Sequence, residues 1–239
     1  FDRWEKVFDI HYSKINGTPN STNDTSVWVD SKTHSVIPKC EMNEWLNLTV
    51  SKISKYLNPK SKVLEIGCGN GLILQRIIQH IGEYIGIENS KYAIESIKNS
   101  SMWNENKRKI ELFNLSAIDL HKLDYSNFDF IIINSVCQYF PNLDYLINVL
   151  GQLEIKLKEP SYIFIGDVRS YEMSCLQYIE RSKDIANFKD IKKIISSFRQ
   201  KERETLYSQE VLKYLSNIFP WVSSSMITKK IGHYKNEMN

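Results

Sequence analysis

No apolar run in the sequence is long enough to cross a bilayer. The longest, in the Phe128 to Val136 region and at Tyr162 to Ile165, fall well short of the roughly 20 residues a spanning helix needs. A soluble protein is expected, with no membrane partner. Cysteines are few and scattered: Cys40, Cys68, Cys137 and Cys175 form no CxxC pair, and no histidine stands at a metal-ligand interval. That spacing argues against a zinc site, so no metal is expected, and it fits reduced thiols in a cytoplasmic setting. There is no basic segment followed by an apolar stretch and a small-residue cleavage site, so nothing suggests secretion. The first residue is Phe1 rather than Met, and the chain reads as an excised fragment. Charge excess is missing too, because 31 Lys+Arg face 28 Asp+Glu for a net +3. A general nucleic-acid binder carries a larger or more segregated basic excess, so no nucleic-acid partner is expected.

What is present is a globular composition, 42% hydrophobic and 25% charged, which argues against disorder, collagen and fibrous coiled coils. A chain of 239 residues buries roughly 70 to 75% of its unfolded surface and needs no staples. Residues 1 to 60 are aromatic-rich, with Trp4, Phe8, Tyr12, Trp28 and Trp45 around a polar loop from Asn16 to Ser26. Glu41 to Leu57 has helical spacing and stops at Asn58-Pro59. From Lys62 onward, short apolar runs at Val63 to Ile66, Tyr84 to Ile87, Ile110 to Phe113, Phe128 to Ile133 and Ile163 to Ile165 alternate with amphipathic segments. That alternation predicts βαβ units and a mostly parallel sheet. Arg181 to Glu204 predicts a charged helix, with Ile191, Ile194, Ile195 and Phe198 on one face and Lys189, Lys192, Lys193, Arg199 and Lys201 elsewhere. Trp221 to Ile231 predicts a late strand. The expectation is one domain over 1–239: a helical cap at 1–60, a ligand-binding core at 61–170, and a helical insertion with the late strand at 171–239.

Three of the nine glycines fall within five residues, in Val63-Leu-Glu-Ile-Gly-Cys-Gly-Asn-Gly71, between a predicted strand and a helix from Leu72 to Ile81. Gly67, Gly69 and Gly71 let the chain turn tightly and let bare backbone approach a ligand. Glu88 ends the next predicted strand, 21 residues after Gly67, where a carboxylate can accept both ribose hydroxyls of a nucleoside. The spacing is GxGxG, not the GxGxxG that seats a pyrophosphate on a helix N-terminus. Glu65, two residues before the first glycine, would repel a pyrophosphate.

In Glu65 to Gly71 the chain resembles the class I S-adenosyl-L-methionine (SAM) methyltransferases, whose first motif reads E/D-x-G-x-G-x-G. Further strings, Ile37-Pro-x-x-Glu41-Met-x-Glu-Trp45, Asn134-Ser-Val-Cys-Gln-Tyr-Phe-Pro141, Gly166-Asp-Val-Arg169 and Asn236-Glu237, resemble the methyltransferase domains embedded in nonribosomal peptide synthetases. The resemblance implies a Rossmann-like three-layer α/β sandwich with SAM as cofactor. It implies cofactor contacts from Glu65, Gly67, Cys68, Gly69 and Gly71, from Glu88 to the ribose, from Ala117, Ile118 and Asp119 around the adenine, and from Asn134 and Ser135 beside the methionine part. Asp119 also reads as a turn cap. In that family the Asn-Glu segment precedes a strand with R-Y-D-V, so the last sheet strand is expected to be missing here.

The implied reaction is N-methylation of the α-amine of an aminoacyl thioester tethered to a carrier protein, with neighbouring synthetase domains as further partners. In-line transfer from an activated sulfonium asks mainly for alignment, which can supply roughly 7 to 11 kcal/mol. A proton acceptor could assist: Tyr139, Asp167, Glu204, His233 and Glu237 are the candidates, with Gln138 as a neutral positioning group. Asp167 could instead pair with Arg169 or cap a helix, and Glu204 reads rather as an exposed helical charge. His11 and His34 read as surface or capping groups. Tyr12, Trp28 and Trp45 could present aromatic faces to a cation or simply pack in the core, and Tyr12, bordering the polar loop, could close over SAM. The Lys-rich face from Lys189 to Arg203 could receive an acidic carrier domain or merely face solvent. C- or O-methylation of a related small molecule, a non-catalytic SAM-binding module and a nicotinamide-dependent oxidoreductase are the alternatives.

Overall fold

The computed structural model describes residues 2–15, 21–30, 35–182 and 188–234. Two helices come first, α1 (Asp2–Ile15) and α2 (Lys39–Ile53), followed by the alternating core. The core runs β1 (Lys62–Ile66), α3 (Leu72–Ile77), β2 (Glu83–Glu88), α4 (Lys91–Lys98), α5 (Ser101–Asn106), β3 (Ile110–Asn114), β4 (Phe128–Asn134), α6 (Leu143–Gly151) and β5 (Leu157–Gly166). Helices α7 (Tyr171–Arg181), α8 (Phe188–Lys201) and α9 (Gln209–Ile218) complete it.

The five strands form one parallel sheet in the order β3-β2-β1-β4-β5. Successive strands step outward from β1 to β3, and then the chain returns to lay β4 on the other side of β1. That reversal opens a crevice at the carboxyl ends of β1 and β4, where open α/β sheets bind ligands. All five apolar runs predicted as strands are strands.

Alternation along each strand sends side chains to two separate cores. Val63, Tyr84, Phe130 and Ile132 face α2 and α3, while Leu64, Ile85, Ile131 and Ile133 face α6 and α9. Both faces of the central strands are therefore covered, which explains why they read as continuous apolar runs. The helix after the glycines is shorter than the predicted Leu72 to Ile81: α3 stops at Ile77 and one 3-10 turn carries the chain to His80.

Two expectations change in the last third. The charged helix predicted over Arg181 to Glu204 is α8 alone; α7 ends where it was to begin, and Glu204 lies in the loop beyond Lys201. Phe198 is buried against Tyr178, with ring centroids 4.7 Å apart, whereas Lys192, Lys193 and Arg199 are exposed. The late strand at Trp221 to Ile231 does not form. Phe219 and Trp221 pack on the α6 and α9 core. The segment then clips onto α2, where Lys52 Nζ donates to Thr228 Oγ1 at 3.1 Å and the His233 amide donates to Glu44 at 2.7 Å. Ile227 and Ile231 are exposed, and no strand pairs with the segment among the described residues. Among the described residues no helix is long and apolar enough to cross a membrane, and no group of acidic, His and Cys side chains could hold a metal.

Leu64 is fully buried at the sheet centre, whereas Ile155 is 72% exposed. Leu64→Ala is expected to cost about 2 to 5 kcal/mol, and Ile155→Ala to stay within about 0.5 kcal/mol of wild type. Urea denaturation of both variants checks the assignment of the core.

Candidate active site

The turn after β1 is built from backbone. The amides of Gly67 and Cys68 both donate to the carbonyl of Ile87, at 2.8 and 3.2 Å, fastening the end of β1 to the end of β2. Gly67 and Gly69 have φ of +73° and +52°, a region that L side chains rarely adopt. A Cβ on Gly67 would lie 2.4 Å from Val136, and one on Gly69 2.9 Å from the Tyr12 hydroxyl. Glu88 completes the turn: one carboxylate oxygen accepts the Gly69 amide and the other the Ser90 amide, each at 2.9 Å. Desolvation raises the Glu88 carboxyl above its ordinary value, against the pull of these amides.

Beneath the turn sits Glu65, 3% exposed and opposite Gly86 in the sheet register. The Tyr84 hydroxyl donates to it at 2.6 Å. Burial pushes the Glu65 carboxyl up to about 8, with the Tyr84 hydrogen bond opposing and the Glu88 charge adding to the rise.

At the ends of β4 and β5, Ser135 and Asp167 adopt φ of +57° and +54°, strained conformations for non-glycine residues. A shared network holds them. Asp167 Oδ2 accepts from Trp45 Nε1 at 2.6 Å, Ser135 Oγ at 2.6 Å and Asn134 Nδ2 at 3.1 Å. Asp167 Oδ1 takes the Lys230 ammonium, which also stands 5.1 Å from the Trp45 ring. Both oxygens are thus engaged by the protein, and Asp167 braces Asn134 and Ser135. The Asp167–Arg169 pair, one alternative for Asp167, does not form. Arg169 pairs instead with Glu204 and, at 3.5 Å, with Glu202.

Helix α1 roofs the crevice. Trp4, Phe8 and Tyr12 recur every four residues on one face, and the Tyr139 ring packs against Trp4 and Phe8 with centroids 4.8 and 5.0 Å apart. Asp9 fixes the roof by accepting the Ser90 hydroxyl at 2.5 Å. Burial first, and the Glu204 charge second, raise the Tyr139 phenol well above its ordinary value, so it is a neutral group at physiological pH.

These elements enclose a cavity of about 1050 Å³, counting its open mouth. Of the expected site residues, Tyr12, Glu65, Gly67, Cys68, Gly69, Glu88, Ala117, Asn134, Ser135 and Tyr139 line it. Gly71, Ile118, Asp119, Gln138, Asp167, Glu204 and His233 do not. Gly71 precedes α3 and packs toward Ile97. The Ile118 amide donates to Tyr145, and Asp119 pairs with Lys122 at 2.7 Å inside a 3-10 turn. Gln138 is buried beside Tyr139 and offers its side chain to that phenol. Glu204 is a partly buried ion-pair partner and not an exposed helical charge. His233 is exposed against α2, and His11 is partly buried on α1, not a surface group. Glu237 and His34 lie outside the described residues. Sequence reasoning passed over the roof residues Trp4 and Phe8, although their four-residue spacing with Tyr12 was visible. Lys230 carried no signal, because its partner is 63 residues away.

Among the described residues, the charged ones lining the cavity are Glu5, Glu65 and Glu88, with no Lys, Arg or His. Such a site favours a cationic ligand over a phosphate. Glu65 also has a consequence for stability. Its folded pKa lies above the unfolded value, so the unfolded chain releases a proton that the folded chain keeps, and stability falls as pH rises from about 4.5 to about 8. Relative to wild type without ligand, Glu65→Gln should melt at a higher temperature near pH 9 than it does near pH 5. A difference independent of pH would show that Glu65 ionises normally.

A family model described as a methyltransferase domain matches residues 57–219. The nonribosomal peptide synthetase TES of Alternaria alternata is 31% identical over 227 residues, covering 91% of this chain and 4% of that protein. The peramine synthetase ppzA of Metarhizium majus is 32% identical over 231 residues, covering 91% of this chain and 8% of that one. The chain thus spans under a tenth of the length of these relatives. Among solved structures, the plantazolicin methyltransferase BamL, in complex with a desmethyl analogue and S-adenosylhomocysteine, aligns with a TM-score of 0.53 at 19% identity, over 90% of this chain and 73% of that one. That likeness is one of fold, and it agrees with the doubly wound parallel sheet and its glycine turn. The chain belongs to the methyltransferase domain family and carries the class I fold.

Proposed function

We propose that this domain transfers a methyl group from SAM to the α-amino nitrogen of an aminoacyl thioester on a carrier protein, within a nonribosomal peptide synthetase. The observation that carries the cofactor assignment is the cavity's charge: acidic side chains beside a glycine turn, with no cationic side chain among the described residues of the lining. An adenosyl sulfonium fits that field; the diphosphate of a nicotinamide dinucleotide does not. Glu88 would hold the ribose, the Ser116–Ala117 edge the adenine, and Glu65 the ammonium of the methionine part. Bound SAM supplies an activated methyl group with a neutral thioether as leaving group.

The residues at the other end of the cavity suit an amine. An α-amine has an ordinary pKa of about 7.7 to 8.0, so a useful share already carries a free lone pair. What it needs is orientation and the exclusion of water. Trp4, Phe8 and Tyr139 provide a dry aromatic wall, and Asn134 and Ser135, braced by Asp167, provide a fixed polar one. Carbon and hydroxyl acceptors need a dedicated base, commonly a histidine, and no histidine among the described residues lines this cavity. The whole chain is read as one domain, 1–239. The synthetase relatives support neighbouring synthetase domains as partners, and exposed Lys192 and Lys193 on α8 suit an acidic carrier domain.

Loss of the Glu88 carboxylate should weaken SAM binding by about 1.5 to 3 kcal/mol, the worth of charge-assisted hydrogen bonds, in calorimetric titration of Glu88→Ala. Unchanged affinity would remove Glu88 from the site. The function itself is tested by incubating aminoacyl-loaded carrier proteins with SAM and the domain, then fragmenting the products in a mass spectrometer. The methyl group is expected on the α-nitrogen. Methyl on carbon or oxygen would favour the alternative acceptors, and no methylation with intact SAM binding would favour a binding module.

A further inference from the structure

The segment that follows α9 is pinned to α2 on both sides of one residue, Lys230. Before it, Lys52 Nζ donates to Thr228 Oγ1 at 3.1 Å and to the Lys229 carbonyl at 3.3 Å. After it, the His233 and Tyr234 amides donate to the two carboxylate oxygens of Glu44, at 2.7 and 3.1 Å. The strap so fixed turns Lys230 inward. Its ammonium meets Asp167 Oδ1, and the two side chains are only 14% and 11% exposed.

Asp167 passes this contact on to the cavity wall. Its other oxygen takes the Ser135 hydroxyl and the Asn134 side-chain amide, and both of those residues line the cavity. Ser135 and Asp167 hold positive φ, a conformation that persists only where the surroundings over-determine it. The sheet register pairs Asn134 with Gly166, and the Ser135 amide donates to the Gly166 carbonyl at 3.1 Å, so the ends of β4 and β5 are set together. Removing one partner of a buried ion pair leaves the other as an uncompensated charge, which is relieved by turning toward water. Such a turn of Asp167 would release Asn134 and Ser135.

The register of β1 with β4 sets Glu65 opposite Ile132 and Ile66 opposite Ile133, while β2 and Glu88 lie on the other side of β1. Asn134 and Ser135 therefore flank the glycine turn on the side away from Glu88. A cofactor with its ribose at Glu88 crosses the turn and brings its amino-acid arm against these two residues. On the reading proposed above, we infer that Lys230 is a positioning residue for that arm: its ammonium anchors Asp167, and Asp167 holds Asn134 and Ser135 in the conformation the arm meets. Lys230 does not itself line the cavity, so its effect reaches the ligand through Asp167. Seating of the C-terminal strap thereby sets the affinity of a site at the opposite end of the sheet strands from which the strap departs in sequence.

The test uses the full 239-residue chain, Lys230→Met and Lys230→Arg, with two probes: S-adenosylhomocysteine, and 5′-methylthioadenosine, which keeps the nucleoside and lacks the amino-acid arm. In calorimetric titration Lys230→Met should raise the dissociation constant of the first at least about fivefold, within the range by which residues remote from a ligand modulate its binding, and leave that of the second unchanged. Lys230→Arg keeps the charge and should bind both probes as wild type does. Equal losses for both probes in Lys230→Met, or a lower melting temperature with both affinities intact, would mark Lys230 as a structural contact and overturn the inference. An equal loss of S-adenosylhomocysteine in Lys230→Arg would overturn it too, because the charge would not be what holds Asp167. Should Lys230→Met fail to fold, Lys230→Gln removes the charge while keeping a polar group, and the same comparison applies. A wild-type chain that binds neither probe would instead sink the cofactor reading itself, and the inference with it.

Discussion

Glu88 grips the glycine turn by accepting the Gly69 amide on one oxygen and the Ser90 amide on the other. The crevice depends on that double grip. It joins the exit from β1 to the exit from β2 and the start of α4, and it fixes a bare stretch of backbone where side chains would otherwise close the gap. The contacts that Cβ atoms would make at Gly67 and Gly69 show how little room remains. A ligand there meets main chain on one side and the α1 roof on the other.

A second constraint is electrostatic. Glu65 and Glu88 are both raised by desolvation; the Glu88 charge adds to the rise at Glu65, and the Asp9 charge adds to the rise at Glu88. Keeping two acids by a glycine turn, with no basic neighbour among the described residues of the lining, costs stability in the empty protein. A cationic ligand relieves that cost, so the same arrangement that weakens the fold favours the ligand. On the far side of the crevice the balance is opposite. Asp167 is neutralised by Lys230 and surrounded by donors, and it acts as a brace for the strained ends of β4 and β5.

The roof and the C-terminal segment come from opposite ends of the chain and meet the same crevice. Trp4, Phe8 and Tyr12 cover it from α1, and Lys230 reaches its wall from the stretch that follows α9. Strand positions were legible because central parallel strands are apolar on both faces and bounded by turns. The turn was legible because its glycines, acid and following helix are close in sequence. Trp221 to Ile231 was misread because β-branched composition alone does not supply a neighbouring strand to pair with. Glu204 was misread because its partner, Arg169, is 35 residues away.

Local order along the chain therefore determined the strands, the turn with positive φ, and the acid one strand over, since each rests on neighbours within about two dozen residues. Tertiary structure alone decided which buried polar groups find a partner in the protein and which do not. Asp167 and Trp45 satisfy each other across 122 residues, while Trp28, of the same residue type and beside the same cavity, is left unpaired. Spacing cannot distinguish the two, because hydrogen-bond satisfaction depends on which distant atoms arrive within 3 Å, and only the packed fold sets that distance.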